Sequence, residues 1–133
     1  MGLSENIRKS EGFAALQPAS KAQIDAAEKA LKLHFSAEYR NYAECFGAAT
    51  LEDHELTGVC LPERIDVVNV TQKARAVYLK LPQQMYVLED LGIDRVYITQ
   101  EENGSVYEYG PADKAIKIAD SMNEYLFSEK DIG

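Results

Sequence analysis

The sequence is poor in cysteine and contains no tryptophan and no long hydrophobic run. Its two cysteines, Cys45 and Cys60, are too few for a disulfide framework, and no CxxC or other metal-binding spacing occurs. Apolar neighbours favour both as small core residues in a reducing compartment. Every apolar run is far shorter than the roughly 20 residues of a membrane-spanning helix, and the N-terminus lacks a signal-peptide pattern. These absences predict a cytoplasmic protein without a membrane anchor.

Basic residues are scarce relative to acidic ones. The net charge is −8, from 14 lysines and arginines against 22 aspartates and glutamates, which disfavours direct binding of nucleic acid. Residues 1–46 hold equal numbers of acids and bases, so the whole excess of negative charge lies in residues 47–133. Such a bias serves solubility in many proteins. It also suits a continuous exposed face that is complementary to a basic partner, and we expect such a face here.

The length and the hydrophobic content fit a single domain over residues 1–133. A chain of this size can bury a core without disulfides or metals, and a hydrophobic fraction of 46% is ordinary for a globular protein. No internal repeat, low-complexity tract or linker interrupts it. We therefore expect one continuous folded unit.

Apolar residues at helical spacing predict five helices. These are a short helix within residues 3–16, helices over 20–32, 36–46 and 67–81, and a last helix that opens at Ser121. Ser20 with Gln23, and Ser121 with Glu124, have the spacing of a capping box. Asn69 or Thr71 is the expected cap of the fourth helix.

The rest of the chain reads as short strands. They are expected over residues 48–51, 56–61, 85–88, 95–100, 105–110 and 115–118. Gly47 ends the third helix before the first strand, and residues 52–54 form a polar turn. Asn103-Gly104 is a strong hairpin signal. The resulting fold class is α+β, with helices packed on a mainly antiparallel sheet.

The order of these elements and two stretches of sequence resemble the SUKH superfamily over residues 20–128. The first stretch combines an Ile–Glu–Leu helix, a tyrosine-bearing helix and a glycine, and its residues are Ile24, Glu28, Leu31, Tyr39, Tyr42 and Gly47. The second stretch, residues 119–126, is similar to the family's closing Ala-x-Ser-hydrophobic-x-Glu-aromatic-Leu pattern. The chain departs from the family with Phe35-Ser36 where Leu-Pro is frequent, and with Gly47-Ala48 where two glycines are frequent.

This resemblance implies a SUKH-like fold and a role without catalysis. The superfamily includes a fungal regulator of cell-wall synthesis and many bacterial immunity proteins. The immunity proteins bind secreted polymorphic toxins, often nucleases, and protect the producing cell. For this chain the resemblance implies a protein partner, with a basic toxin domain as the first hypothesis and a regulatory or scaffolding module as the alternative. It implies no cofactor.

Candidate catalytic and metal sites are weak. Residues 52–55, Glu-Asp-His-Glu, have donor types that bind metals, but neighbours on an extended chain point to alternate sides and supply at most two converging ligands. We expect His54 to be a solvated turn residue and His34 to be a packed connector. No nucleophile elbow or phosphate-binding glycine loop is present, so no catalytic residue is predicted. A small metal- or ligand-binding protein is a third hypothesis.

Tyrosines among acidic residues form the best candidate site. The chain has eight tyrosines, and rigid aromatic rings rimmed by carboxylates suit a protein interface. Tyr107 and Tyr109 share one face of a predicted strand, and they either fill the core or form a platform in solvent. The predicted partner-binding residues are Glu52, Asp53, Glu55, Glu89, Asp90, Asp94, Tyr97, Glu101, Glu102, Tyr107 and Tyr109.

Overall fold

The chain folds into helices and antiparallel strands, as the sequence predicts. The structure is a computed structural model that describes residues 2–127; residues 1 and 128–133 of the expected domain lie outside the described residues. The α-helices of the described part are α1 Leu3–Arg8, α2 Lys21–Leu31, α3 Ala37–Phe46, α4 Val67–Val77 and α5 Met122–Phe127. Its strands are β1 Ala14–Ala15, β2 Ala49–Leu51, β3 His54–Glu55, β4 Tyr86–Asp90, β5 Tyr97–Gln100, β6 Val106–Tyr109 and β7 Ala115–Ala119. A 3-10 turn, Glu63–Ile65, precedes α4.

The strands form two antiparallel sheets. One has the order β1-β2-β3, and the other has the order β4-β5-β6-β7, in which neighbours in sequence are neighbours in space. The β5–β6 hairpin lies where the sequence predicts it, and Gly104 in its turn has a φ of 97°, a conformation that glycine adopts without strain. Helices together with antiparallel sheets make an α+β fold.

Local capping signals set the start and the end of the central helices. Ser20 Oγ accepts a hydrogen bond from the Gln23 amide at 3.1 Å, and Gln23 Oε1 accepts one from the Ser20 amide at 2.8 Å, which completes the predicted capping box of α2. Ser36 Oγ accepts from the Tyr39 amide at 3.0 Å and starts α3. Gly47, with a φ of 71°, ends α3 where the sequence predicts.

The four-stranded sheet has a hydrophobic core on each face, because successive side chains of a strand point to opposite sides. Tyr86 and Leu88 enter the larger core, to which α1, α2, α3 and α5 contribute. Val87 enters the smaller core, where α4 contributes Val70 and Ala74. Helices therefore pack on both faces of this sheet, whereas its edge strand β7 is mostly exposed.

The first segment differs from the single short helix that the sequence predicts. α1 ends at Arg8, and residues Ala14–Ala15 form a strand that pairs with β2. Gly12, with a φ of 72°, turns the chain between the two elements. The Glu52 amide donates to the Glu11 carbonyl at 2.7 Å, which holds this turn against the β2–β3 turn.

The strand expected over residues 56–61 is wrong, since β3 is His54–Glu55 and the chain after Leu56 is irregular. The reason is that its backbone amides bind different parts of the fold. The Thr57 amide donates to Leu88 on β4, the Gly58 amide to Ile65, and the Val59 amide to Gly47. Within the described chain, this segment therefore forms no ladder of backbone hydrogen bonds with a single neighbouring strand.

The fourth helix begins at the predicted residue, Val67, but it has a different cap and ends earlier than predicted. Asp66 occupies the N-cap position, so neither Asn69 nor Thr71 is the cap. Asn69 Nδ2 instead donates to the Glu63 carbonyl, and Thr71 Oγ1 accepts from the Val87 amide of β4 at 3.0 Å. The helix ends at Val77 because Tyr78 takes an extended backbone conformation.

Both cysteines carry free thiols and are half-buried rather than deep in the core. Burial raises the pKa of the Cys60 thiol to about 11. His34 is exposed, with its Nδ1 3.9 Å from Glu28 Oε1, so the packed connector expected at this position is wrong. In the part of the chain that the structure describes, no helix combines the length and the apolar character needed to cross a membrane.

Candidate protein-binding surface

One buried carboxylate joins two strands to the last helix. Glu89 on β4 is 5% exposed, and its Oε1 lies 2.9 Å from His54 Nδ1 on β3. Tyr125 of α5 donates its hydroxyl to the same oxygen at 2.8 Å, and the Glu55 amide donates to Oε2 at 3.3 Å. Since Leu51 pairs with His54, the turn contains only residues 52 and 53. The expectation that His54 is a solvated turn residue is therefore wrong.

This cluster of His54, Glu89 and Tyr125 ties β3, β4 and α5 together. The hydrogen bond that protonated His54 donates to Glu89 raises the pKa of His54, because the carboxylate stabilises the protonated imidazole more than burial disfavours it. Burial, followed by the charge of Glu89, raises the pKa of the Tyr125 hydroxyl. Among the described residues, no group of three or more His, Cys, Asp and Glu side chains is arranged to hold a metal ion.

The tyrosines of the β5–β6 hairpin lie mostly inside the molecule. Tyr97 and Tyr109 are 9% and 2% exposed and pack with Tyr78 in the smaller core, their ring centroids 6.2 Å and 5.2 Å from that of Tyr78. Burial raises the pKa of Tyr109 to about 12, and its hydroxyl donates to Asp113. Tyr107 is half-buried, and its hydroxyl donates to Glu101.

Burial argues against three of the residues that the sequence predicts to bind a partner. Glu89, Tyr97 and Tyr109 are buried, so they make no surface available to a partner. The solvent-exposed tyrosine platform is wrong for Tyr109, because α4 covers the face of the sheet on which it lies. Periodicity along one strand shows which residues share a face, but not which helix covers that face.

Exposed carboxylates are grouped where β2, β3 and β4 end. Glu52 and Asp53 form the β2–β3 turn, and Glu55 follows on β3. Glu55 binds Arg64 through both carboxylate oxygens at 2.8 Å, which lowers its pKa. Asp90 at the end of β4 lines the same concavity as Glu55. We call Glu52, Asp53, Glu55 and Asp90 the β3 acidic group.

A second acidic group lies at the other end of the four-stranded sheet. Glu101 and Glu102 belong to the β5–β6 turn, next to Gln100, which pairs with Tyr86. Asp90 pairs instead with Tyr97, so strands of this length place the two groups about 10 Å or more apart. Asp94 is exposed in the loop that follows Asp90. The sheet therefore divides the predicted carboxylates between its two ends, and a single continuous acidic face stays a prediction.

The whole described chain also matches a known protein family. The model of the family SUKH_5, described as SMI1-KNR4 cell-wall, matches residues 3–129. The chain belongs to the SUKH_5 family. No curated protein matches the sequence.

Several residues on which the sequence resemblance to the SUKH superfamily rests hold the larger core together. Glu28 on α2 accepts from the Phe35 amide at 2.9 Å and binds Arg40 at 3.0 Å, so it fixes the connection between α2 and α3. The hydroxyl of Tyr42 donates to the Thr57 carbonyl at 2.7 Å, and the Tyr39 hydroxyl lies 2.8 Å from Thr57 Oγ1. These contacts are internal, and they leave the surface free for another role.

The stretch that resembles the closing pattern of the SUKH superfamily, residues 119–126, is held by Glu38, a side chain that no local pattern indicates. Glu38 of α3 accepts hydrogen bonds from the Met122 and Asn123 amides, the first of α5, at 2.7 and 2.8 Å. It also accepts from Gln100 Nε2 at 3.0 Å, and Gln100 is fully buried. Sequence shows Glu38 only as an acid in the first turn of its own helix, since its partners are more than 60 residues away.

The second predicted capping box is only half formed. Ser121 Oγ accepts from the Glu124 amide at 2.9 Å, as predicted. Glu124 Oε1 accepts from the Asp120 amide at 2.6 Å, one residue before the expected position. Glu38 and Ser121 together therefore satisfy the amides of the first turn of α5.

Proposed function

We propose that this SUKH_5 domain binds a basic protein through the β3 acidic group, and that the partner is a toxin domain which it neutralises. Membership of the family supports a protein-binding, immunity-type role. The observation that carries the proposal is the exposure of Glu52, Asp53, Glu55 and Asp90 at neighbouring strand ends. In this role the protein acts in the cytoplasm of the producing cell.

Electrostatics explains how such a surface would select its partner. A nuclease toxin has a basic groove that binds phosphates, and exposed carboxylates can occupy that groove in their place. Long-range attraction also raises association rates, to about 10⁸–10⁹ M⁻¹s⁻¹ at low salt for strongly steered pairs. The acidic excess after Gly47 gives the chain the sign of charge that this requires.

Co-expression with a toxin tests the function. The proposal requires that a secreted protein with a C-terminal toxin domain is encoded beside this chain, and that toxin domain is the probe. The wild-type chain is expected to restore growth of cells that express this domain, and the two purified proteins are expected to form a complex. Growth arrest despite soluble wild-type protein, with no complex formed, would overturn the proposal.

A matched pair of charge reversals tests the surface. Asp53→Lys changes an exposed carboxylate in the β2–β3 turn, and Glu102→Lys changes one in the β5–β6 turn at the other end of the molecule. We expect Asp53→Lys to weaken the complex at least about tenfold, because it replaces attraction by repulsion. Glu102→Lys is expected to retain wild-type affinity. The reverse result would assign binding to Glu101, Glu102 and Tyr107 instead.

A regulatory or scaffolding module is the second candidate. It is favoured by the description of the matching family, SMI1-KNR4 cell-wall, which refers to the cell wall and not to toxins. Affinity purification from the native cell separates the two candidates. Recovery of cell-wall or housekeeping proteins, without a toxin, would favour the scaffold.

A further inference from the structure

The three-stranded sheet has a hollow on its outer face. Ala14 of β1 pairs with Thr50 of β2, and Thr50 pairs with Glu55 of β3, so these three residues form one row across the sheet. Next to this row lies an open cavity of about 190 Å³. Its lining residues, which we call the alanine hollow, are Ala14, Ala15, Leu16, Ala48, Ala49, Thr50, Glu55, Pro62, Arg64 and Ile65.

Short side chains create this hollow, and an exposed leucine lies at its edge. Four of its lining residues are alanines, whose methyl groups leave room above the strands. Leu16, which also lines the hollow, is 41% exposed. Exposed large apolar side chains beside an apolar hollow are typical of a protein-interaction site.

The size of the hollow suits one aromatic side chain. A cavity of about 150 Å³ with an apolar lining is large enough to bind benzene. The alanine hollow is somewhat larger and is open on one side, so a ring on a flexible side chain can enter it. Interfaces commonly place an aromatic anchor in such a recess at the centre of the contact.

The charge around the hollow specifies what should flank that ring. The β2–β3 turn connects two of the lining strands, and Glu52 and Asp53 of this turn share a neighbouring concavity with Glu11. Together with Glu55 and Arg64, the residues that line the two concavities carry four carboxylates and one guanidinium, a net charge of −3. Arg64 is held by both oxygens of Glu55, so its charge is compensated locally.

We propose that the alanine hollow receives an aromatic side chain of a partner protein, and that lysine or arginine residues beside this side chain contact Glu52 and Asp53. The proposal rests on the proposed function, since it names the anchor of the same protein interface. It adds an apolar contact that fixes the position of the partner, whereas the carboxylates attract it over a distance.

Peptide titration tests the hollow without the natural partner. The probes are capped pentapeptides with a central residue between two pairs of lysines, observed through ¹H–¹⁵N spectra of the full-length protein. The Lys-Lys-Phe-Lys-Lys peptide is expected to shift the amide signals of Ala15, Ala49 and Thr50 in a saturable manner. The same peptide with alanine at the centre, and one with glutamates in place of the lysines, are expected to bind at least tenfold more weakly.

A matched pair of variants locates the binding. Ala14 and Ala115 are both exposed alanines at the start of an edge strand, and only Ala14 lines the hollow. Ala14→Phe is expected to fill the hollow and reduce peptide affinity at least tenfold, whereas Ala115→Phe retains it. Leu16→Ser provides a second test at the rim if Ala14→Phe fails to fold.

Three results would overturn this inference. They are equal binding of the phenylalanine and alanine peptides, signal shifts confined to other parts of the protein, and wild-type binding by folded Ala14→Phe and Leu16→Ser. None of these results contradicts the proposed function, which is tested by whether co-expression restores the growth of cells that express the toxin. Failure of rescue together with specific peptide binding would instead leave the hollow as a site for a different basic protein.

Discussion

Glu89 shows how a single charged residue can connect three elements of this fold. Its carboxylate is almost fully buried and accepts hydrogen bonds from Tyr125 and the Glu55 amide, beside the imidazole of His54. A buried charge is tolerated only with such partners, because removal from water costs several kcal/mol. Its interaction with His54 makes part of the stability depend on pH.

The free energy of unfolding should fall as the pH rises from about 6 to about 8. Because the folded state raises the pKa of His54, it holds the proton more tightly than the unfolded state does. This contribution is complete below about pH 6.5, the ordinary pKa of histidine, and is lost as the pH rises through the raised value. Urea unfolding across this range should show a flatter profile for His54→Gln.

The chain's other histidine provides the control for this measurement. His34 is exposed and lies far along the chain from Glu89, so His34→Gln should keep the wild-type profile. Parallel profiles for wild type and His54→Gln would show that the pair with Glu89 contributes nothing to the pH dependence of stability.

Adding a single methyl group at Gly58 should destabilise the folded protein. A Cβ atom there would lie 1.9 Å from the carbonyl oxygen of Gly47, which is backbone and cannot move aside. We expect Gly58→Ala to lower the free energy of unfolding by more than about 3 kcal/mol. Gly92→Ala is the matched control: a Cβ there meets no described atom within 4 Å, and its φ of 71° should cost only about 1 kcal/mol. Equal losses in urea unfolding would contradict this account.

The sequence reveals those residue roles that depend on neighbours close along the chain. Ser20, Gln23 and Ser36 act as predicted, because a cap needs only amides two or three residues away. The role of His54 was missed, because its partner Glu89 is 35 residues distant and no local pattern indicates it. Burial of Tyr97 and Tyr109 depends on where α4 packs, which is also non-local.

At the scale of elements, α5 depends on α3. Its first amides bind the Glu38 carboxylate, which also favours the positive end of the helix. A helix of six residues is too short to be stable by itself, so these contacts and its packing decide whether it forms.

Removal of the Glu38 carboxylate should therefore loosen α5. Glu38→Ala is expected to lower the free energy of unfolding by about 2 kcal/mol or more, since three hydrogen bonds to a charged group are lost. Amide hydrogen exchange at Met122 and Asn123 should accelerate in the same variant. Glu44→Ala, an exposed change on the same helix, should alter the stability by less than about 0.5 kcal/mol. Equal behaviour of the two variants would contradict the assigned role.

The sequence predicts which helices and strands form better than it predicts the residues at which they begin and end. Four helices and the β5–β6 hairpin lie close to the predicted places, since periodicity and turn residues are local signals. The strand predicted at residues 56–61 does not form because its backbone amides bind three different parts of the fold, which a local run of apolar residues does not reveal. β1 was missed because two residues are too few to show any period.

For the molecule as a whole, the carboxylates predicted to bind a partner divide between two ends of the four-stranded sheet. The β3 acidic group lies next to the alanine hollow, whereas Glu101 and Glu102 lie at the opposite end. Sequence predicted which part of the chain carries the charge, but the division follows from strand register. This geometry implies that one end alone should control association with a basic partner.

The most direct test is the association rate with the toxin domain that growth-restoration experiments assign as the partner, measured by stopped flow at ionic strengths from about 0.01 to about 1 M. Over this range the Debye length falls from about 30 to about 3 Å, which removes long-range attraction. The account predicts a rate for wild type and Glu102→Lys that falls at least tenfold, and a slower, much less salt-dependent rate for Asp53→Lys. A wild-type rate that is independent of salt, or the same loss in both variants, would contradict it.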